Sequence, residues 1–470
     1  VYPLMVIFGL SETEWLQTTT MHVMETTGKN YAKLMQIFSL IPNSMQYEPN
    51  DQIGIPWDLN KIAQLLFFIS LSATVVCLIC ARTKAKQWWT GGLGLLLSAV
   101  LLTGYFMPVS VPVMDLSTSG VFADAAYYET IHAGKQQNVA ADFRVKKYRL
   151  DFSMGLNLTG RAKVYVDRSE LKSYRFTLYH GYKVKQVTDQ TGAALDFRRE
   201  YDYVTVTRGE AAVEYLCLEY TGKSPKYYSS YAGVCLPANF AYYPIPGYRE
   251  LFKDSFYGFI DCSLPYDTAF DVRCSGRKQM YCNLAARGDN HFAGNARSIT
   301  LLSGYYDTLK LNDTLVVYPK YADGEIRARI KKNMGTFTKE HRDIRTIFIM
   351  DADNLTPYEH LRSYDGYVVT NSMIDMEQSY FESQIDISKM DFYKTFVYYY
   401  NEKVDREELE QLKQSEDPEE YPMVQIILKL SASKNREAAA AETEQYLTNS
   451  KDTRAPMTFL QELGEKYAKA

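Results

Sequence analysis

Histidines are the first place to look for chemistry in this chain. There are six, His22, His132, His180, His291, His341 and His360, and no two stand closer than 19 residues. An H-E-x-x-H zinc site needs two histidines one helical turn apart, so that both reach one ion with the glutamate as general base. No such segment occurs. His360 follows Glu359 and precedes Leu361-Arg-Ser-Tyr364, so no second ligand stands on its helix face. The histidines therefore read as surface or satisfied side chains. No G-x-S-x-G elbow offers a nucleophilic serine. No G-x-x-x-x-G-K-[ST] loop offers a phosphate cradle, so the chain does not itself hydrolyse ATP. Gly288-Asp-Asn-His291 and Gly294-Asn295 make no cradle either. No catalytic residue, metal ligand or cofactor is expected.

Binding is the other chemistry on offer. Tyrosine is abundant, 39 residues against 22 Phe and 4 Trp. Its ring packs on a half-buried strand while its hydroxyl stays wet. Tyr227, Tyr228, Tyr231, Tyr242 and Tyr243 cluster in the sequence. Exposed, they would hold a peptide, and Tyr227, Tyr228, Tyr242 and Tyr243 are the candidate site; buried, they only pack the sheet. Of seven cysteines, Cys77 and Cys80 lie in an apolar run. Cys217, Cys235, Cys262, Cys274 and Cys282 lack the paired C-x-x-C steps of a zinc ribbon and read as thiols or as one or two disulfides. Asn157, Asn312 and Asn354 begin Asn-x-Thr triplets, glycan acceptors only on a eukaryotic secretory route. Net charge is −4 from 52 basic and 56 acidic side chains, which argues against nucleic acid.

Two uncharged runs stand before the tyrosine-rich part. Residues 62–81 match the roughly 30 Å hydrocarbon thickness at about 1.5 Å per residue. Residues 87–114 form a second run opened by Trp88 and Trp89, as an aromatic belt would. The link between them holds Arg82, Lys84 and Lys86 and no acid, which sets it on the cytoplasmic side. Residues 11–60 carry Lys29 and Lys33 against Glu12, Glu14, Glu25, Glu48, Asp51 and Asp58, suited to the outside. Pro108 and Pro112 end the second run. The chain begins at Val1 with an apolar stretch that lacks a signal-peptide pattern, and 1–10 read either as the stub of an earlier helix or as part of an external segment.

Alternating strand patterns come next: 147–154, 162–167, 182–187, 201–207 and 212–220, separated by turn signals such as Gln190-Thr-Gly192. Residues 315–318 and 345–350 add strands. Helix-prone stretches cover 391–415 and 423–468, with a start signal at Asp405-Arg-Glu-Glu408 and a strong helical tract at 435–444. The acids at 416–420 read as a solvated loop. The expected fold class is membrane-anchored and mixed: two transmembrane helices, an extracellular, mainly antiparallel β-sandwich, and a smaller α/β to helical C-terminal part. The expected divisions are 1–60 (extracellular segment), 61–114 (helical hairpin), 115–144 (connector), 145–320 (β-domain) and 321–470 (α/β and helical region).

Within 145–320 the features come in a recognisable order. Tyr148-Arg-Leu-Asp-Phe-Ser-Met154 leads to Gly160-Arg-Ala-Lys-Val-Tyr-Val166, then Phe176-Thr-Leu-Tyr179 and the step Val184 to Val187. Leu218-Glu-Tyr-Thr-Gly222 precedes Ala241-Tyr-Tyr-Pro-Ile-Pro-Gly247, and Phe270-Asp-Val272 precedes Phe292 to Tyr306. This order resembles the N-terminal β-domain of the aminopeptidase N family of zinc metallopeptidases, in particular the bacterial branch fused to the membrane part of an ABC-type permease. The family's G-A-M-E-N segment and its H-E-x-x-H with a distant glutamate are both missing. Asp375-Met-Glu-Gln378 is a faint echo that carries no role. Met457-Thr-Phe-Leu-Gln-Glu-Leu-Gly464 looks like the last helical motif of the permease-fused members, so the resemblance implies a shortened, inactive relative.

The resemblance implies a non-catalytic, membrane-tethered peptidase-like domain, part of an ABC-type transporter permease and acting in binding or gating. The alternatives are a membrane-anchored zinc aminopeptidase whose active half lies elsewhere, and a structural cell-surface protein. The implied partners are the lipid bilayer, a separate ATP-binding subunit, further permease helices and a peptide ligand. The implied location is the cell membrane, multi-pass, with the large C-terminal part extracellular.

Overall fold

The computed structural model describes residues 59–81, 83–104, 106–107, 124–224, 226–253, 258–277, 279–320, 323–350, 361–370, 376–401, 406–414 and 420–468. The expected external segment before residue 59, Arg82, the breaks at Pro108 and Pro112 and the first part of the connector lie outside them.

Two helices come first, α1 (Leu59–Cys80) and α2 (Lys84–Gly104). Small residues let them approach: a Cβ on Gly94 would sit 2.0 Å from the Thr74 hydroxyl, and Ser98 donates to Ser70 at 3.1 Å. Among the described residues only Ile62–Cys80 is long and apolar enough to cross a membrane. The expectation of two spanning helices is therefore corrected. The first turns of α2 hold Lys84, Lys86, Gln87 and two exposed tryptophans, and Gly91, Gly92 and Gly94 make its middle less apolar. Its aliphatic stretch, 93–102, covers only about 15 Å, half of a hydrocarbon core.

The chain divides into two compact units, one that includes α1 and α2 and reaches to residue 374 apart from 361–363, the other formed by 361–363 and 375–470. The first is built on alternation. Strand β1 (Val145–Met154) turns Tyr148, Leu150, Phe152 and Met154 inward, and β2 (Leu158–Val166) turns in Leu158, Ala162, Val164 and Val166. Period-two patterning puts all of these on one face. Five more strands come after: β3 (Ser173–Thr177), β4 (Tyr182–Thr188), β5 (Phe197–Glu200), β6 (Tyr203–Thr207) and β7 (Tyr215–Gly222). β1, β2, β7 and β4 share a seven-stranded sheet with Thr268–Ser275, while β5, β6 and β3 belong to a four-stranded one. Gly160 faces Tyr220 across β2 and β7; a Cβ there would lie 2.5 Å from the Tyr220 ring, whose hydroxyl donates to the Tyr242 carbonyl at 2.8 Å.

The mainly antiparallel sandwich is also corrected: the fold is mixed α/β with several sheets. β1 runs parallel to Thr268–Ser275 at its centre. Thr314–Pro319, Thr346–Ile349 and Tyr367–Thr370 are parallel neighbours, with helix Asp323–Met334 in the connection between the first two. Alternation reports that one face is buried; it does not report strand direction. The second unit is helical. Met390–Asn401 buries Phe392, Tyr393, Phe396, Tyr399 and Tyr400, the stripe expected at helical period, against Val424, Ile427, Phe459 and Leu463.

Candidate functional site

The site lies in the first unit. A short helical segment begins at Asp124 and passes through a π-helical turn, Tyr127–Ile131. It meets two connections of the sheets: the turn between β3 and β4, carrying Tyr179 and His180, and the turn between β5 and β6, carrying Tyr201 and Asp202. Tyr201 has φ 56°, a left-handed conformation uncommon for a non-glycine residue. Arg199 holds both turns in place. Its guanidinium donates to the carbonyls of Tyr182 (2.7 Å), Leu178 and Tyr179 (2.9 Å each) and Tyr201 (3.1 Å).

This brings together two carboxylates and two imidazoles. Asp124 is buried, and its Oδ1 accepts the Tyr179 hydroxyl at 2.5 Å. His180 lies between the acids, Nε2 3.8 Å from Asp124 and Nδ1 3.4 Å from Asp202. Its backbone N–H donates to Asp202 Oδ1 at 2.7 Å. The Tyr127 ring stacks on His180, centroids 3.5 Å apart. His132 is fully buried, with Nε2 3.8 Å from Asp202 and its ring edge-on to Tyr201. Neither nitrogen of His132, nor Oδ2 of Asp124, nor Oη of Tyr128 has a hydrogen-bond partner among the described residues. Burial raises the Asp124 carboxyl to about 6, with the Tyr179 hydrogen bond and then His180 acting against it. Burial also lowers the His132 ring below the ordinary histidine value, opposed by Asp202.

A groove of about 490 Å³ opens beside this cluster. Its floor is one face of the β5–β6 hairpin, where Arg198 pairs across the strands with Thr205 and Glu200 with Tyr203. The opposite wall is Gly134, Lys135 and Gln137, from the same segment that carries His132. Tyr248 closes the groove, tied to Thr205 by a hydroxyl–hydroxyl hydrogen bond and to Val139 by a pair of 2.8 Å backbone bonds. Lys135 reaches over the Tyr201 ring, 4.9 Å from its centroid. Arg198 and Glu200 form an exposed ion pair at 3.0 Å.

The tyrosines expected to hold a peptide are elsewhere. Tyr227, Tyr228, Tyr242 and Tyr243 are all buried in the core, so none presents its ring to a ligand. Tyr242 donates to the Ile299 carbonyl at 2.8 Å, and Tyr227 accepts from Asn239 at 3.2 Å. A tyrosine flanked by small and apolar residues satisfies its hydroxyl on the backbone and spends its ring area on packing. Lys84, Lys86, Trp88 and Trp89 lie exposed at the start of α2; Arg82 is outside the described residues. Of the five cysteines beyond the two helices, Cys217, Cys235, Cys262 and Cys282 are buried and Cys274 is half-buried. Histidines 132 and 180 join one site although 48 residues separate them, so no local spacing announced them. The only sequence signal nearby was the alternation over 201–207, which put Asp202 in a strand; the structure places it in the turn before β6.

No protein-family model matches the chain, and no curated protein matches it. Among solved structures it is similar to native leukotriene A4 hydrolase from Saccharomyces cerevisiae, at 10% identity and TM-score 0.36 over 56% of this chain and 48% of that one. The yeast enzyme in complex with bestatin aligns at 11% identity and TM-score 0.39, over 70% and 66%. The M1 zinc metallopeptidase from Deinococcus radiodurans aligns at 11% and 0.34, over 70% and 87%. The chain thus spans about half the length of the first of these structures.

Proposed function

We propose that this chain is a non-catalytic, peptidase-like binding domain, held at a membrane by α1, which seats a peptide in the groove between residues 134–137 and the β5–β6 hairpin. One observation carries the reading. The groove offers cations (Lys135, Arg198), one acid (Glu200) and aromatic faces (Tyr201, Tyr203, Tyr248) within a single concavity. A peptide terminus and its first side chains need this combination: opposite charges for carboxylate and amine, and flat apolar surface for the side chains. The sequence holds no H-E-x-x-H, the spacing by which two histidines of one helix reach a zinc ion, so this reading assigns the chain no hydrolytic step. On this reading the remaining permease helices and the ATP-binding subunit come from other chains, and peptide binding outside the membrane gates them.

The full chain, purified in detergent micelles, tests this in two measurements. Peptide pools are titrated by calorimetry against the wild type and against Lys135→Glu. Zinc content and turnover of aminoacyl reporters are measured on the same preparation. Binding that Lys135→Glu weakens at least tenfold, with no turnover, is the expected result. Stoichiometric zinc with chelator-sensitive turnover overturns the non-catalytic reading, and binding indifferent to Lys135→Glu overturns the groove.

A further inference from the structure

We propose that the Asp124–His180–Asp202 cluster is a proton-operated latch that docks segment 124–137 onto the sheets, and so forms one wall of the groove, closing as the pH falls and loosening as it rises. The inference takes the groove reading as given for its consequence alone, since docking is measured without any peptide.

Geometry supplies the first argument. Asp124 belongs to the segment and Asp202 to the β5–β6 turn, and the one imidazole between them is His180, 3.8 and 3.4 Å away. The ring thus links the acid of the segment to the acid of the hairpin turn in a buried site, where a carboxylate charge is costly. Two other cations face the cluster: Arg199, which donates to four backbone carbonyls and whose charge also acts on Asp202, and Lys226, which acts on Asp124 more weakly than His180. The remaining neighbours are the phenols of Tyr127 and Tyr128 on the segment, Tyr179 and Tyr182 on the β3–β4 side, and Tyr203 on β6. Burial pushes all five above the ordinary phenol value, so they stay neutral throughout the range that matters.

Asp124 sets the direction of the response. Its docked carboxyl titrates near 6 rather than 3.8, so a protonated Asp124 favours the docked segment. His132, on the same segment, opposes: its buried ring is held below the usual value, so its protonation favours release. Asp124 thus tightens the latch on acidification and His132 restrains it. The segment that moves is the one carrying Gly134, Lys135 and Gln137, which is why the latch sets the groove.

Amide hydrogen exchange on the full chain in detergent micelles reads this directly. The probes are the His132 N–H, bonded to the Tyr127 carbonyl, and the Val139 N–H, bonded to that of Tyr248, both at 2.8 Å. After correction for intrinsic exchange, their protection is expected to fall between pH 5 and pH 8, by at most about 100-fold for one proton bound about two pK units more tightly. Amides of β1 and β2 stay unchanged and show that the fold is intact. Asp124→Asn keeps an acceptor for Tyr179 without the charge and is expected to hold the protection at pH 8 near its value at pH 5. His132→Gln is expected to steepen the wild-type dependence. Equal protection at both pH values in the wild type, an Asp124→Asn profile that follows the wild type, or a flat His132→Gln profile each overturns the latch.

Discussion

Two buried polar clusters, one in each unit, are built from similar side chains and differ in how completely they are satisfied. In the helical unit Lys389 is almost fully buried, yet its ammonium donates to the Tyr446 carbonyl at 2.7 Å and the Asn449 carbonyl at 2.9 Å and lies 4.1 Å from the centre of the Tyr446 ring. Tyr446 in turn stacks on Phe459 at 4.0 Å and donates to the Arg454 carbonyl at 2.7 Å. In the sheet unit, Asp124, His132 and His180 each keep at least one buried polar atom without a partner. A network with every donor placed fixes one arrangement, because any alternative loses hydrogen bonds in a low-dielectric interior. A network with atoms left over is poised, because a single proton changes which contacts are favourable. The first cluster is a staple and the second is the part of the molecule suited to respond.

The largest effect should come from breaking the staple. Lys389→Ala strips the buried Tyr446 carbonyl and the partly exposed Asn449 carbonyl of their donor and removes the cation from the Tyr446 face. The expected loss is roughly 2–4 kcal/mol, the same at pH 5 and pH 8. Urea titration followed by far-ultraviolet circular dichroism checks both the size and the flat pH profile. A loss that varied with pH would blur the distinction between the clusters.

The responsive cluster should behave in the opposite way. The Asp124 carboxyl titrates near 6 in the fold against 3.8 when unfolded, so its favourable contribution is complete below pH 3.8 and is lost as the pH rises through 6. Above that window the ionised acid costs up to about 3 kcal/mol. Asp124→Asn is therefore expected to raise stability at pH 8, by about 1–3 kcal/mol once relaxation is allowed for, and to leave it unchanged near pH 4. Thermal unfolding across that range sharpens the comparison: a stabilising effect independent of pH would assign the cost to something other than the charge.

The smallest effect belongs to the groove. Arg198 and Glu200 are both well exposed, so Arg198→Ala should shift stability by less than about 0.5 kcal/mol at any pH. A larger shift in the same denaturation experiment would mean that the groove is part of the structural framework and not a surface free to bind.

Much of the local structure was legible. The alternation over 147–154 falls in β1, that over 182–187 in β4, and the tract 435–444 in helix Arg436–Thr448. The apolar run 62–81 lies almost wholly in α1. The run 87–114 misled because Leu95–Leu97 and Val100–Leu102 dominate its impression, while Gln87, the tryptophans and three glycines govern its average. The tyrosines misled in another way: a phenol tolerates both water and a core, so residue type alone did not decide between a surface at Tyr227 and Tyr242 and the buried positions they occupy.

What the sequence determined by itself was therefore periodic or categorical. It contained which residues repeat every second or every fourth position, where an uncharged run begins, and the absence of a paired-histidine zinc motif. These depend on neighbours along the chain, where spacing translates into a face or a turn. Tertiary structure alone decided that β1 pairs in parallel with Thr268–Ser275, and that Asp124, His132, His180 and Asp202 meet in one cluster. Those four residues span 78 positions and three separate connections. No local rule links them, because the contacts form only when the helical segment and two sheet turns close on one another and expel the water between them.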